Sequence, residues 1–269
     1  SFFSRKYCHY RVHMPHSISS LHMIYPKDAF DGYNVLFAVG PHHEKEFHAL
    51  TKLNGLKERA VYKCGYSKAG IKKSDYVYNP QHPPHVLLAP SWGKGNILET
   101  IGTDLVSLLL DKGYKVSVRP HPAFFIDGHE VLDNLKSLSA KETLFRIEDS
   151  RESGEAIYDA DIMISDYSGV VQEFFLTAPR PIVFVDVEKK VMNEDWESLD
   201  IEPIELRSRN VMGPLVEPDA VMVCSKVAET LKNIYSWVDR AKDFEKEYLY
   251  DIECAEAASL QIKNFLVNQ

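Results

Sequence analysis

Two short apolar runs, separated by a turn and an amphipathic run within residues 160–185, constrain this chain most. The apolar runs, 162–164 and 182–185, are typical of buried strands, and the amphipathic run at 170–177 is typical of a helix. The order strand, turn, helix, loop, strand predicts a parallel sheet. In an open sheet of this kind, the turn lies at the carboxyl end of its strand, where ligands bind.

The turn at residues 165–169, with the sequence SDYSG, has the composition of an anion site. The first N–H groups of a helix lack partners within the helix, and the helix dipole adds partial positive charge there. Ser168 is placed to cap the helix, and Gly169 leaves room for a phosphate against the backbone. Asp166 is expected to cap the helix or to orient a histidine. The same composition also fits an ordinary capped turn without a ligand.

A second strand-turn-helix-strand unit begins at His85 and ends in the sequence RPHP at residues 119–122. Because the two prolines keep the backbone extended, His121 is presented from a stiff loop beside Arg119. The alternation predicts an α/β fold: a Rossmann-type parallel sheet with helices on both faces. A charged and Pro-rich segment, 70–84, indicates a boundary between two lobes.

The length and the charge of the chain limit the classes of protein to which it can belong. The chain has 269 residues, 45% of them hydrophobic, which is enough for a core divided between two lobes. A formal net charge of -8 argues against a nucleic-acid partner. No apolar run reaches the roughly 20 residues that span a bilayer, and no signal peptide is recognisable. Since the chain begins at Ser1, we expect a fragment of a cytoplasmic protein whose upstream part, with any membrane-targeting segment, is missing.

Cysteine and histidine patterns give no metal motif. The four cysteines form no CxxC pair, which favours reduced thiols. Seven of the eleven histidines fall in the first fifty residues, but without the HExxH spacing, so we predict no metal and no cofactor. His42, His43 and His48 are expected to be solvated on a charged helix.

Together, RPHP at 119–122 and SDYSG at 165–169, followed by Glu173, resemble motifs of the CDP-glycerol glycerophosphotransferases, which include teichoic-acid polymerases and primases. Residues 85–122 resemble that family's strand, "APTW" turn, helix and "HP" loop. The sequence around His16 resembles its "HGTxxK" stretch, with Ser where the family has Gly.

The resemblance implies a two-lobed GT-B fold. The first lobe, 1–80, would be the remnant of an acceptor-side lobe, and the second, 81–269, would bind the nucleotide donor, with its last helices free to pack back on the first. It implies transfer of glycerol phosphate from CDP-glycerol, or a related nucleotide-activated donor, to a polymer or a lipid-linked acceptor in the envelope or capsule. A peripheral contact with the inner face of the plasma membrane is left open.

The chemistry of such a transfer needs a base for the acceptor hydroxyl, donors or cations for the phosphate charge, and a holder for the leaving nucleotide. His16 is the candidate base, because imidazole titrates near neutrality. His121 and Arg119 are the candidates for the phosphate charge. Glu173 is expected to bind ribose, by resemblance to UDP-N-acetylglucosamine 2-epimerase. The predicted catalytic residues are His16 and His121, and the predicted donor- and phosphate-binding residues are Arg119, Ser165, Asp166, Ser168, Gly169, Glu173, Ser91 and Trp92.

Two alternatives stay open. One is a GT-B glycosyltransferase or an epimerase-like enzyme that uses a UDP-sugar, because cytidine and uridine differ at a single pyrimidine edge. The other is a non-catalytic nucleotide-binding lobe of an envelope-assembly complex.

Overall fold

The computed structural model describes residues 10–66, 76–127, 130–148, 155–250, 260–261, 263–265 and 267. They divide into two compact units of mixed α/β structure. The first unit takes its described residues from Ser1–Ile71, Lys190–Ser208 and Lys242–Gln269, and the second from Lys72–Lys189 and Arg209–Ala241. The predicted lobes, 1–80 and 81–269, left open that the last helices pack back on the first lobe; in the compact units, Lys190–Ser208 is also grouped with the first unit.

A short parallel sheet forms the centre of the first unit. Its strands lie in the order β1 (Val12–His13), β2 (Val35–Ala38) and β3 (Ala60–Lys63). All four residues of the middle strand, β2, are buried. Helix α1 (Pro41–Leu53) follows β2 directly and begins at Pro41, since the fixed φ of proline suits the first helical position.

The second unit contains a six-stranded parallel sheet with the order β6-β5-β4-β7-β8-β9. Its strands are β4 (His85–Ala89), β5 (Lys115–Val118), β6 (Phe145–Ile147), β7 (Ile162–Ser165), β8 (Ile182–Val185) and β9 (Leu215–Val216). The chain adds β5 and β6 on one side of β4, and then adds β7, β8 and β9 on the other. The strand order therefore reverses between β4 and β7, which is where ligands bind in open sheets of this type.

Helices connect these strands. A π-helical turn, Leu98–Gly102, leads into α2 (Thr103–Asp111), and Gly113 ends this helix in the left-handed region at φ +77°. The following helices are α3 (Phe124–Asp127), α4 (Glu130–Ser139), α5 (Glu155–Asp159), α6 (Val170–Thr177), α7 (Ile204–Met212), α8 (Ala220–Leu231) and α9 (Val238–Tyr248). Single 3-10 turns occupy Trp196–Leu199 and Ile234–Trp237.

Two further expectations concern thiols and membranes. Cys64 and Cys224 are buried thiols, while Cys8 and Cys254 lie outside the described residues. Within the described part of the chain, no helix combines the length and the apolar character needed to cross a bilayer.

Candidate functional site

Three neighbouring strands of the second unit end side by side, and each is followed by predicted site residues. Ser91 and Trp92 follow β4, Arg119 and His121 follow β5, and the turn 165–169 closes β7. Because adjacent strands lie about 4.8 Å apart, the three strand ends form one edge about 10 Å wide. The strands that precede these residues thus end at the place where the strand order reverses.

The ends of β4 and β7 are tied together by side chains from the turn. Ser165 Oγ donates to the carbonyl of Ala89 at 2.5 Å. The carboxylate of Asp166 accepts the backbone N–H groups of Ser91 at 2.7 Å and of Ile97 at 3.0 Å. Ser165 and Asp166 are both fully buried. The carboxylate of Asp166 therefore accepts backbone N–H groups of the turn and of the start of the helical segment after β4, and it fixes their positions.

The start of α6 presents its backbone N–H groups without help from a side chain. Gly169 is the N-cap residue, and no side chain of the described residues caps this helix. Ser168 is partly buried, and Gly169 is exposed. The expectation that Ser168 caps α6 is therefore not met, because the cap position falls one residue later, on glycine. These N–H groups keep the character of an anion site.

His121 is partly buried, and it is oriented by the stiff loop that carries it. Its Nδ1 accepts the backbone N–H of Ala123 at 3.2 Å, which assigns the ring proton of the neutral imidazole to Nε2. Burial lowers the pKa of His121 below its ordinary value. The imidazole is accordingly neutral at pH 7, and its Nε2–H can donate to a phosphate oxygen.

Arg119 brings positive charge to the same edge. Its guanidinium lies 3.6 Å from the carboxylate of Glu148, and its side chain is 15% exposed. Glu148 also pairs with Arg146 at 3.0 Å, so one carboxylate serves two guanidinium groups. Arg146 also lies 3.8 Å from the carboxylate of Glu155, so the cluster holds two guanidinium groups and two carboxylates.

Trp92 and Glu173 flank the edge. Trp92 is 41% exposed, and Glu173 is partly buried one helical turn into α6. The hydroxyl of Ser91 is buried and has no hydrogen-bond partner in the described part of the chain.

Sequence reasoning missed Asn96 and Arg209. The side chain of Asn96 is fully buried, and its Oδ1 accepts the N–H of Leu98 at 2.9 Å. The guanidinium of Arg209 lies 4.3 Å from the ring centroid of Tyr167, inside the turn that closes β7. Arg209 lies next to Ser208 on α7, and Ser208, Ile204 and Met212 of this helix are fully buried.

The candidate base, His16, belongs to the first unit. Its side chain is exposed, in the loop that follows β1, and its carbonyl accepts the hydroxyl of Tyr66 at 3.4 Å. Its positive charge, when protonated, adds to burial in lowering the pKa of His13.

Side chains from elsewhere hold the backbone immediately after His16. Backbone N–H groups of Ser20 and Leu21 donate to buried carboxylates of Glu205 and Glu46. The next hydrogen bonds fix carbonyls: His42 Nε2 donates to Ile18, His43 Nε2 to Ser19, and Asn193 Nδ2 to His22. Hydrogen bonds from two distant parts of the chain, residues 42–46 and 193–205, therefore hold this segment.

The expectation that all three histidines of α1 are solvated is wrong for His42 and His43. Their rings are buried because they satisfy carbonyl groups of the buried segment, whereas His48 is exposed. Burial lowers the pKa of both rings. His22 behaves differently: burial opposes its charged form, but the hydrogen bond and the charge of Glu46 outweigh burial and raise its pKa. No cluster of three or more potential metal ligands occurs among the described residues.

Comparison with known families identifies the stretch that carries this edge. Residues 76–197 match the family "CDP-Glycerol:Poly(glycerophosphate) glycerophosphotransferase". The matched stretch covers less than half of the chain. It contains β4, β5, β7 and their connecting turns, and it confirms over these residues the resemblance seen in the sequence. No curated protein matches the chain.

Solved structures show the same fold. The UDP-GlcNAc 2-epimerase of Methanocaldococcus jannaschii, in complex with UDP-GlcNAc and UDP, is 14% identical with a TM-score of 0.51, over 88% of this chain and 62% of that chain. MnaA of S. aureus, solved with UDP, is 12% identical with a TM-score of 0.51, over 87% of this chain and 60% of that chain. The chain thus spans about three fifths of these structures, and the predicted GT-B-like α/β fold is confirmed.

Proposed function

We propose that this protein transfers glycerol phosphate, or a similar polyol phosphate, from a CDP-activated donor to a hydroxyl of a growing cell-envelope or capsule polymer, and releases CMP. The observation that supports this most strongly is the match of residues 76–197 to the glycerophosphotransferase family. These residues supply the three strand ends at which the predicted donor site assembles.

The donor diphosphate would bind at the start of α6. The hydroxyl of Ser168 and the N–H groups after Ser168 and Gly169 would bind its phosphate oxygens at the carboxyl end of β7. The neutral His121 would donate its Nε2–H to the phosphate that leaves with cytidine, and Arg119 would oppose its charge. Glu173, one turn into the helix, would accept hydrogen bonds from ribose hydroxyls.

The reaction itself is a phosphoryl transfer. The acceptor oxygen forms a bond to the phosphorus of glycerol phosphate, while the bond from that phosphorus to the CMP oxygen breaks. The proton of the acceptor hydroxyl would pass to His16, and CMP would carry away the electron pair of the broken bond. His121 and Arg119 would act on the charge that accumulates on the leaving phosphate.

The acceptor proposed for this reaction is a polymer or a lipid-linked primer, and a lipid-linked primer would bring the enzyme to the inner face of the plasma membrane by a peripheral contact. An enzyme that uses a UDP-sugar is the second candidate, because structures of the same fold hold UDP. The two candidate enzymes differ in the nucleobase of the donor, which is cytosine in one and uracil in the other.

Calorimetric titration of the purified protein with CDP-glycerol, CMP and UDP-N-acetylglucosamine tests the proposal. We expect preferential binding of the cytidine ligands, and at least about tenfold weaker binding in Ser168→Ala and His121→Ala. His48→Ala is the matched control, because His48 is exposed on α1 of the first unit. Preference for the uridine ligand would favour the sugar-using enzyme. Donor binding without any release of CMP in the presence of acceptor would favour a non-catalytic lobe.

A further inference from the structure

Two arginines of the second unit are buried and stacked on aromatic rings. Arg180 is fully buried, with its guanidinium carbon 4.0 Å from the ring centroid of Phe174. Arg209 is 4% exposed, and its guanidinium carbon lies 4.3 Å from the ring centroid of Tyr167. The two residues lie at opposite ends of β8, since Arg180 precedes the strand and Arg209 donates to the carbonyl of Val185, its last residue.

Arg180 is satisfied by the fold. Its N–H groups donate to the carbonyls of Ile157 at 2.5 Å, Ala160 at 2.6 Å and Tyr158 at 3.1 Å, and to Thr177 Oγ1 at 3.0 Å. Burial lowers the pKa of Arg180 to about 10, yet the group keeps its acceptors. This arginine has a structural role.

Arg209 is not satisfied in the same way. It donates to the carbonyl of Val185 at 2.9 Å, and it lies 3.5 Å from the carboxylate of Asp186, whose side chain is 46% exposed. Its Nε and Nη1 have no acceptor in hydrogen-bond geometry among the described residues. Burial lowers the pKa of Arg209, although the charges of Tyr167, Asp186 and Asp166 and a hydrogen bond with the side chain of Tyr167 act in the opposite direction. A buried cation with unused N–H groups is costly unless a ligand compensates it.

The position of Arg209 indicates which ligand that is. Tyr167, on which the guanidinium stacks, lies between Asp166 and Ser168 in the turn that closes β7. The N–H groups at the start of α6 follow this turn directly, at the carboxyl edge of the sheet. A diphosphate held there would place negative charge beside the arginine.

We propose that Arg209 is a further donor-binding residue, whose charge and unused N–H groups stabilise the diphosphate at the turn 165–169. This inference rests on the donor site of the proposed function. It adds a cation from outside residues 76–197, the stretch that matches the family.

Binding of CDP and of inorganic pyrophosphate to the wild type, Arg209→Met and Arg209→Lys tests this, with calorimetry at two or more salt concentrations. We expect Arg209→Met to bind both anions at least about tenfold more weakly and with a smaller dependence on salt. Arg209→Lys should lie between the two, since it keeps the charge but not the planar fork. Arg240→Met is the matched control, because Arg240 also stacks on a ring, that of Trp237 at 4.3 Å, but is exposed.

The outcomes separate the two proposals. If the folded Arg209 variants, verified by circular dichroism, bind both anions as the wild type does, the role of Arg209 is overturned. If the wild type binds pyrophosphate and CDP equally well and Arg209→Met loses both, the inference stands while a cytidine-specific donor site does not. If the wild type binds neither anion, both proposals are overturned.

Discussion

The carboxylate of Asp166, at the end of β7, accepts the backbone N–H of Ser91, at the end of β4, at 2.7 Å. This contact joins the two strands between which the order of the sheet reverses. Its other oxygen accepts the N–H of Ile97. The shape of the candidate donor site therefore depends on a side chain that is itself buried and occupied by backbone groups.

Replacement of Asp166 by alanine should lower the free energy of unfolding by about 3 kcal/mol, because buried N–H groups lose a charged acceptor. Asp166→Asn keeps one carbonyl oxygen and should lose about half as much. Urea denaturation measures both, with Asp133→Ala as the control, since the side chain of Asp133 is 75% exposed on α4. An unchanged midpoint in Asp166→Ala would contradict this role.

At two glycines, we expect an added methyl group to lower the free energy of unfolding by very different amounts. A Cβ on Gly213 would lie 1.5 Å from the carbonyl oxygen of Ile182, so Gly213→Ala must displace backbone and should cost at least about 3 kcal/mol. Gly113→Ala meets no atom within 4 Å and carries only the strain of φ +77°, about 1 kcal/mol. Thermal denaturation of the two variants shows which one loses more stability. Equal losses of stability would show that the backbone relaxes around the alanine at position 213.

The buried His85 predicts loss of stability in acid. Burial, followed by the charges of Lys115 and Arg146, lowers its pKa to about 3, while its Nε2 lies 2.8 Å from Ser117 Oγ. Since the unfolded state binds the proton first, the stabilisation is complete above pH 6.5. It decreases as the pH falls toward 3, by up to about 1.4 kcal/mol per pH unit. Urea denaturation between pH 4 and 7 should show this slope, and His85→Gln should flatten it; equal slopes would exclude His85 as the cause.

For the pair of His22 and Glu46, we expect the opposite dependence of stability on pH. The pKa of His22 is raised, so its contribution to stability is complete below pH 6.5 and is lost as the pH rises through the folded-state pKa. Glu46→Gln removes the charge but keeps an acceptor for the N–H of Leu21. The pKa of His22, followed by NMR, should fall in this variant, and an unchanged value would indicate that Glu46 does not set it.

Local patterns were sufficient to predict the strands and turns around the donor site. Apolar runs bounded by Pro, Gly and Ser predicted β4, β5, β7 and β8, because in a parallel sheet these runs are buried on both faces. The two motif turns then had to share one edge. Because the strands are parallel, residues that follow the carboxyl end of each strand were predicted to lie at that edge.

Long-range hydrogen bonds account for what the sequence did not reveal. The pattern HHEKE resembles an exposed helix start, yet His42 and His43 point to carbonyls some 24 residues earlier in the chain. Arg209 stacks on Tyr167, 42 positions away by residue number, and no local motif marks it. Such partners depend on which segments return to a unit, and that information is absent from local periodicity.

The return of residues 190–208 to the first unit also sets the order of events during synthesis. The backbone groups of Ser20 and His22 cannot form their hydrogen bonds until Glu205 and Asn193 leave the ribosome, some 170 to 185 residues later. Throughout that interval, the nascent segment at residues 20–22 carries polar groups that only the later chain can satisfy. A ribosome-bound chain ending before residue 190 should therefore expose this segment to protease, and one that has emerged past residue 250 should protect it.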